Sequence, residues 1–303
     1  MNRLERNHHK PDGANKYHIN CNELEKNPSS IPVIKNKDDI TILESIINDK
    51  NITSKQKHIV IKIGKVNKRI ENEFMIGKFL EKHNISGFIK YMCLFKCFDD
   101  IYHKIDTNNI KSLSLCNAKK EDENMKAILV MPFISEGSIR TFKWNSDKYE
   151  VLKSVILQTI MSVFTAYQKY GFLHNDLHLD NILIKKTKKE NIEYENRKIK
   201  TFGYKIVIMD FETSFINVEH SVGNVSYWQN LLNMISRLNF DILNKDGDTV
   251  HLDNLNDITG FIIQQQNLKS SALKTKKILD MIENSKFKII EIPKIKPYNP
   301  NVF

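Results

Sequence analysis

Four polar residues occur along this chain in an order, and of types, that suit phosphoryl transfer. Lys62 and Asp210 each end an apolar run, and between them Asp176 and Asn181 lie in one loop. Phosphoryl transfer needs positioning and neutralisation of phosphate charge more than covalent chemistry. A lysine, two carboxylates and an amide in this order are the set needed to hold Mg-ATP and aim an acceptor at its γ-phosphate.

Each of the four residue types has a defined use in that chemistry. Mg²⁺ prefers hard oxygen ligands and keeps several waters, so Asp210 and the amide oxygen of Asn181 would suffice beside the phosphates. Lys62 would be a point charge on the α- and β-phosphates, and Asp176 would accept the proton of the acceptor hydroxyl. Taken singly, these are an ordinary strand-end lysine and ordinary polar turns; the combination in order favours the site.

Composition and charge indicate a globular protein without an obvious nucleic-acid partner. The net charge is +10, but the basic residues are dispersed and no RNA-binding or zinc-finger pattern accompanies them. Solvated faces therefore explain the charge better than nucleic-acid binding, although a nucleotide or an acidic peptide could also use it. The four cysteines lack a histidine pair at zinc spacing and are expected to be reduced core thiols.

The chain contains no segment that predicts membrane insertion or secretion. No apolar run approaches the roughly 20 residues that span a bilayer, and residues 1–10 are polar and charged, without the core of a signal peptide. We expect a soluble intracellular protein of the cytoplasm or nucleus, with no membrane partner.

The first half of the chain predicts a small strand-rich region. Residues 1–38 are polar and irregular and are expected to form an N-terminal extension. Residues 103–125 are polar and predict a loop. The periodicity between these segments predicts the following elements: a helix at Asp38–Asn48, a strand at Lys57–Ile63, a helix at Asn67–His83, and strands at Phe88–Phe98 and Ala127–Phe133.

The second half of the chain is mainly helical in pattern. A long amphipathic helix at Tyr149–Tyr170 is ended by Gly171, and the loop with Asp176 and Asn181 follows directly. Two short strands at Ile182–Ile184 and Lys205–Met209 are joined by a charged excursion at 187–203, and two further helices are predicted at Tyr227–Leu238 and Ser270–Ile282. The plan is an α+β protein with a small lobe at 39–134, a larger helical lobe at 135–303, and the four polar residues at their junction.

Over about residues 55–240 the chain resembles the protein-kinase superfamily. The loop His174–Asn181 reads His-x-Asp-Leu-His-x-x-Asn, and a Lys-Lys-Thr segment at 185–187 and a short activation segment follow. These features look most like haspin-type kinases and the divergent kinases of large DNA viruses. The resemblance implies a bilobal protein-kinase-like fold and an atypical serine/threonine protein kinase using ATP and Mg²⁺ on a protein substrate. If the chain is viral, it would act in the host cell or the virion.

The resemblance also assigns the nucleotide-binding residues of the small lobe. Lys62 matches the lysine of strand β3 in kinases, and Glu73 is the expected partner on the next helix, with Glu71 as the alternate. Ile128–Ile134 matches the strand and hinge that hold adenine. Met131 would be the gatekeeper, and the adenine edge would bond two groups of the hinge backbone, namely the Pro132 carbonyl and the backbone of Ile134.

The same resemblance assigns the catalytic loop. Asp176 matches the catalytic base, and Asn181 and Asp210 match the metal ligands. His174 is expected to bond backbone near Asp210 in a structural role. His178 stands where serine/threonine kinases often have lysine, so it would contact the γ-phosphate or face solvent.

Four departures from the family pattern separate this chain from ordinary protein kinases. No Gly-x-Gly-x-x-Gly precedes Lys62, and no glycine occurs between Gly13 and Gly64, so the loop over ATP is replaced or missing. Asn175 replaces the arginine that would pair with an activation-loop phosphate. Glu212 replaces the glycine of Asp-Phe-Gly, and no Ala-Pro-Glu follows.

Two other functions remain open from the sequence. The loop and Ile-Met-Asp-Phe-Glu also resemble aminoglycoside- or choline-type kinases, which phosphorylate small molecules. The missing glycine loop would equally suit a pseudokinase that binds partners without catalysis.

Overall fold

The structure is a computed structural model that describes residues 33–37, 40–48, 56–98, 125–195, 197–218, 220–239, 242–243, 246–265 and 272–290. The strands are β1 (Val33–Lys37), β2 (Ile40–Asn48), β3 (Gln56–Lys65), β4 (Cys93–Phe98), β5 (Met125–Pro132), β6 (Ile182–Lys186), β7 (Asn191–Tyr194), β8 (Arg197–Lys200), β9 (Tyr204–Ile208), β10 (Thr249–Leu252) and β11 (Phe287–Ile290). The helices are α1 (Lys68–Lys82), α2 (Tyr149–Tyr170), α3 (His220–Ser236), α4 (Leu255–Gln265) and α5 (Ala272–Glu283).

Strands β1 to β5 form an antiparallel sheet in the order β1-β2-β3-β5-β4, with β3 at its centre. Lys62 is paired with Ile42 of β2 on one side and with Leu129 of β5 on the other. Successive side chains of a strand point to opposite faces, so Lys62 lies on the face opposite to Ile61 and Ile63. Lys62 is nevertheless buried on that face, with only 6% of its surface exposed.

Helix α1 follows β3 directly and is well defined at its start. The side chain of Asn67 caps it by accepting the backbone N–H groups of Arg69 (3.0 Å) and Ile70 (3.1 Å), which satisfies two of the donors that a helix start leaves unpaired. The buried residues Ile70, Ile76 and Leu80 recur at helical spacing. The predicted helix at Asn67–His83 is confirmed.

Helix α2 is the buried spine of the helical part. Most of its side chains are buried, and it ends at Gly171, which has φ +56°. A Cβ atom at this position would lie 2.6 Å from the backbone nitrogen of Val218. Both the left-handed conformation and the close approach therefore require glycine here.

Backbone hydrogen bonds fix the segment after β9 onto the end of α2. The N–H of Asn217 donates to the Tyr170 carbonyl (2.7 Å), and that of Val218 donates to the Gly171 carbonyl (3.3 Å). Leu173 and Phe215 exchange two hydrogen bonds, of 2.9 and 2.8 Å. Residues 209–218 therefore lie directly against the loop that carries Asp176.

Aromatic packing joins the loop to the sheet and α1. Phe211 is fully buried and meets the rings of Phe88, Tyr91, Phe172 and His174 at centroid distances of 5.7 to 6.0 Å. Edge-to-face contacts of this kind contribute about 1 kcal/mol each beyond burial. Phe211 thus anchors its neighbour Asp210 to the core.

Two interpretations of the N-terminal region are wrong. Asp38–Asn48 was expected to be helical, but Ile40–Asn48 forms β2 and pairs along its length with β3. The isoleucines of this stretch fit helical spacing, yet β-branched side chains pack better on a pleated surface, and the pairing decides the outcome. Residues 33–37 were expected to be irregular, but they form β1; residues 1–32 lie outside the described part of the chain.

The remaining elements agree with the sequence in part. The strands at Lys57–Ile63 and Ala127–Phe133, the helix at Tyr149–Tyr170 and the two short strands after it are confirmed, as are helices over most of Tyr227–Leu238 and Ser270–Ile282. The strand expected at Phe88–Phe98 begins only at Cys93. The excursion at 187–203 contains the hairpin β7–β8, which the sequence did not predict. The loop expected at 103–125 lies outside the described residues except for Met125.

The predicted α+β class is confirmed, with a small β-rich part and several helices. Cys93 is a buried thiol, as expected of a core cysteine. None of the helices within the described ranges combines the length and the apolar character needed to cross a membrane.

Candidate functional site

The ammonium group of Lys62 lies among three carboxylates. Its Nζ is 2.8 Å from Glu73 Oε2, 3.2 Å from Asp210 Oδ1 and 2.6 Å from Glu212 Oε1, and the side chain is only 7% exposed. A buried lysine is stable only when paired and hydrogen-bonded. Here the pairing connects three parts of the chain: β3, α1 and the segment after β9.

The glutamate that pairs with Lys62 is Glu73, while Glu71 is directed elsewhere. Glu71 forms an ion pair with Lys96 of β4 at the surface, whereas Glu73 is fully buried. The expected ion pair with Lys62 is therefore present, and the alternate residue takes no part in it.

Tyr91 joins the two acids and was not found from the sequence. Its hydroxyl donates to Glu73 Oε1 and accepts the backbone N–H of Asp210 at 3.4 Å. The ring rests against Gly77 of α1, where a Cβ atom would come within 2.5 Å of Tyr91 Cε2. A tyrosine in an apolar, strand-like stretch carries no sequence signal for such a role.

The charges of this cluster shift the titration of its members. Burial opposes the ammonium form of Lys62, but the three carboxylates outweigh burial and raise its pKa far above the ordinary value. Burial also raises the pKa of Glu73 to about 7; Asp210 adds to this shift, and Lys62 opposes it. One ammonium among three carboxylates leaves excess negative charge, which a proton on Glu73 would reduce and a divalent cation would neutralise.

Asp210 adopts a backbone conformation that is uncommon for a residue other than glycine. Its φ is +68°, a region in which the Cβ atom is crowded. The buried ring of Phe211 and the hydrogen bond to Tyr91 hold it there. Such backbone strain is concentrated at functional sites because the surroundings must fix it.

His174 supports the loop in a single neutral tautomer. Its Nε2 is 3.0 Å from the Met209 carbonyl, and the backbone N–H of Asp176 lies 3.4 Å from its Nδ1. A ring with its proton on Nε2 satisfies both contacts, and burial lowers the pKa of His174 in agreement. The expected bond from His174 to backbone beside Asp210 is present.

Asn181 is oriented so that its amide oxygen is the atom left for a ligand. Its Nδ2 donates to the backbone carbonyl of Asp176 at 2.9 Å, and the backbone carbonyl of Asn181 accepts the N–H of Met209 at 3.0 Å. These bonds bring the loop alongside the residue before Asp210. The Asp176 side chain is 56% exposed, so it is accessible to a reactant.

His178 is close to Asp176 and is held by the loop. Its Nδ1 accepts the N–H of Asp180 at 3.3 Å, which leaves the proton on Nε2, 3.7 Å from Asp176 Oδ2. Asp180 also pairs with Arg140 at 3.3 Å. His178 is thus suited to orient the Asp176 carboxylate, while Asp180 is a turn residue.

The three residues predicted to meet adenine lie at the end of β5. Met131 is buried and pairs with Val60, and Pro132 pairs with Ile59 at the edge of the ladder. The Ile134 carbonyl accepts the N–H of Gly137 at 3.4 Å. Their contact with a nucleotide stays a prediction.

The carboxylates around Lys62 could in principle hold a metal ion. Glu73, Asp210 and Glu212 have oxygens within 4.8 Å of one another, but the Lys62 ammonium lies at hydrogen-bond distance from all three. It occupies the position that a shared cation would take. Asn181 and Asp210, the ligands predicted from the sequence, offer the amide and carboxylate oxygens that suit Mg²⁺.

Comparison with known proteins gives two partial similarities. No family model matches the chain. An uncharacterized protein of Invertebrate iridescent virus 6 is 31% identical over 81 residues, which cover 24% of this chain and 14% of that protein. An uncharacterized protein of Caenorhabditis elegans is 28% identical over 98 residues, covering 31% of this chain and 33% of that protein. The matched stretch is thus a third or less of either relative, and neither name states an activity.

Proposed function

We propose that this protein is a Mg-ATP-dependent phosphotransferase with a bilobal kinase-like arrangement, acting on a protein serine or threonine hydroxyl. The observation that carries the proposal is the Lys62 ammonium, which contacts Glu73 on one side and Asp210 on the other. Lysine held in this way is pre-oriented to receive phosphate oxygens. Residues 148 positions apart in sequence meet in this contact, so it depends on the fold rather than on local sequence.

The remaining residues have roles that follow from their surroundings. Asp210 and the Asn181 amide oxygen would hold Mg²⁺ against the phosphates, and Lys62 would neutralise the phosphate oxygens. The exposed carboxylate of Asp176 would accept the acceptor's proton, oriented by His178. Met131, Pro132 and Ile134 would border the adenine.

A small-molecule acceptor is the second candidate, and the segment after Asp210 favours it. Only residues 213–219 separate Glu212 from α3, and several of those described bond to the end of α2 or to the loop at 173–175. A short, fixed segment offers little backbone for an extended peptide to pair with. A pseudokinase is the third candidate, because Glu212 already occupies Lys62 at 2.6 Å.

Purified full-length protein with radiolabelled ATP and Mg²⁺ tests the proposal against a protein pool and, separately, a panel of small alcohols. Asp176→Asn is expected to reduce label transfer by about 100-fold or more, because general-base contributions are of that size. Asp210→Asn is expected to reduce both transfer and Mg²⁺-dependent ATP binding.

Asp180→Asn is the matched control, since it removes an acid from the same loop but keeps the backbone N–H that His178 Nδ1 accepts; the Asp180 carboxylate pairs with Arg140 and lies 3.6 Å from that Nδ1, on the side of the ring away from Asp176. Its transfer should stay within about twofold of the wild type, as expected of a surface substitution. Equal label from wild type, Asp176→Asn and Asp210→Asn would contradict the proposal. Transfer to a small alcohol alone would select the second candidate, and Mg-ATP binding without transfer the third.

A further inference from the structure

A cavity of about 620 Å³ lies away from Lys62, between the α1–β4 connection, α2 and the β6–β9 region. Its charged border includes Lys90, Lys189 and Lys205. Its size is that of pockets which hold small molecules. None of the residues discussed for phosphoryl transfer lines it.

Lys205 lies in a positive environment. It is half-buried, and it pairs across the β6–β9 ladder with Lys185, another lysine. Like charges directly opposite on a sheet are destabilising. Burial first, and then the ammonium groups of Lys185, Lys189 and Lys90, lower the pKa of Lys205.

The two carboxylates at the border leave this positive charge largely uncompensated. Glu81 is engaged by Lys78 at 3.0 Å and is more distant from Lys90, at 3.9 Å. Glu193 is 79% exposed and lies 3.9 Å from Lys198. Within the described part of the chain, the charged groups that lower the pKa of Lys205 are the ammonium groups of Lys185, Lys189 and Lys90.

The backbone and the floor of the cavity are fixed by hydrogen bonds. Lys189 is held by its carbonyl, which accepts the Thr201 hydroxyl at 2.5 Å. Tyr194 donates to the Gln158 carbonyl at 3.1 Å, and the Gln158 side chain in turn bonds the backbone of Tyr204 and Ile206. A hydrogen-bonded floor beneath a border of three lysines is preorganised for an anion.

We propose that this cavity binds a small ligand carrying two or more phosphate groups, held by Lys90, Lys189 and Lys205. Two phosphates suit three lysines around one cavity better than a single carboxylate does, because each lysine binds phosphate as a point charge. A ligand with more negative charge also relieves more of the repulsion between the ammonium groups. The site is independent of the proposed phosphotransferase activity.

Calorimetric titration of the full chain with inorganic pyrophosphate tests the proposal. EDTA is present so that no metal assists binding near Asp210. Lys205→Gln and Lys189→Gln are each expected to weaken pyrophosphate binding by about tenfold, the usual effect of losing one charge-assisted contact. Lys188→Gln carries the same charge change on the neighbouring residue, which does not line the cavity, and should weaken binding less than about twofold.

Two further measurements make the result decisive. Thermal unfolding of Lys205→Gln without ligand should match or exceed that of the wild type, because the variant removes a like-charge pair. Hydrogen exchange with pyrophosphate should show protection at 187–194 and 85–90. No binding by the wild type at about 1 mM, equal weakening by Lys188→Gln, or protection confined to 59–65 and 209–213 would overturn the proposal.

Discussion

At the scale of single residues, the site depends on how one ammonium group is shared. Lys62 has three donor hydrogens and three carboxylate neighbours. A phosphate that approaches Lys62 must therefore replace one of them. Glu212 is the neighbour with least support, since Glu73 is fixed by Tyr91 and Asp210 by its backbone.

Glu212→Gln is expected to strengthen Mg-ATP binding by up to about tenfold, because a neutral amide competes less for Lys62 than a carboxylate does. Calorimetric titration with Mg-ATP measures the change. Glu136→Gln is the control: Glu136 is equally exposed, at 20%, but pairs with Lys186 instead. Weaker binding with Mg²⁺, and unchanged binding without it, would show instead that Glu212 is a metal ligand.

The pKa of Glu73 leads to a pH dependence of stability. Its folded-state pKa is raised to about 7 from 4.5, so the folded protein binds more protons than the unfolded chain between these values. The stabilisation from this group is complete below 4.5 and is lost as pH rises through about 7.

The free energy of unfolding of the wild type should therefore fall relative to that of Glu73→Gln from pH 4.5 to 7, by up to about 1 kcal/mol per pH unit. Urea unfolding at several pH values measures this difference. Comparison with one variant at each pH removes the opposite effect of His174, whose lowered pKa destabilises the folded state as pH falls below 6.5. Glu71→Gln removes a carboxylate from the same helix but keeps Glu73. Its free energy of unfolding should therefore fall relative to that of Glu73→Gln, as that of the wild type does. Parallel curves for the wild type and Glu73→Gln would contradict the prediction.

At the scale of elements, α1 fixes the site through its distance from Tyr91. Gly77 allows this helix to lie against the tyrosine ring. Gly77→Ala is expected to lower the free energy of unfolding by about 1–3 kcal/mol, because the added methyl group overpacks a rigid ring. It should also shift the Glu73 titration, since the hydroxyl of Tyr91 would move.

Gly260→Ala provides the matched control for that substitution. Gly260 also lies within a helix, α4, but a Cβ atom there would meet no atom within 4 Å. Alanine at this position should raise the free energy of unfolding by up to about 1 kcal/mol through helix propensity alone. Chemical denaturation of both variants measures the contrast; stabilisation by Gly77→Ala would show that Tyr91 has room to yield.

The elements that could be predicted from the sequence are those with strong local signals. Asn67 caps the start of α1 with its side chain, and Gly171 ends α2 in a left-handed conformation. The buried strand β5 is a mostly apolar run. The strand β2 could not be distinguished from a helix, because its isoleucines satisfy both periodicities and only pairing with β3 decides. The hairpin β7–β8 was hidden in a charged stretch without apolar alternation.

At the scale of the whole molecule, the contact between Lys62 and Asp210 could be expected only by resemblance, whereas its further partners required coordinates. Glu212 was visible as a departure from Asp-Phe-Gly, but its reach to Lys62 depends on the turn that Phe211 fixes. Tyr91 had no spacing relative to the other residues that would single it out. Side chains that meet across distant segments leave no trace in local pattern.

The attachment of residues 209–218 to the end of α2 has a consequence for control. Enzymes that are switched by a swinging loop need a resting form in which that loop is elsewhere. Here the segment is hydrogen-bonded to the end of α2, and Gly171 lies in close contact with the backbone of Val218. If the proposed phosphotransferase activity is correct, we expect the protein to be active as soon as it folds, so that the amount of protein and the supply of substrate would set its rate.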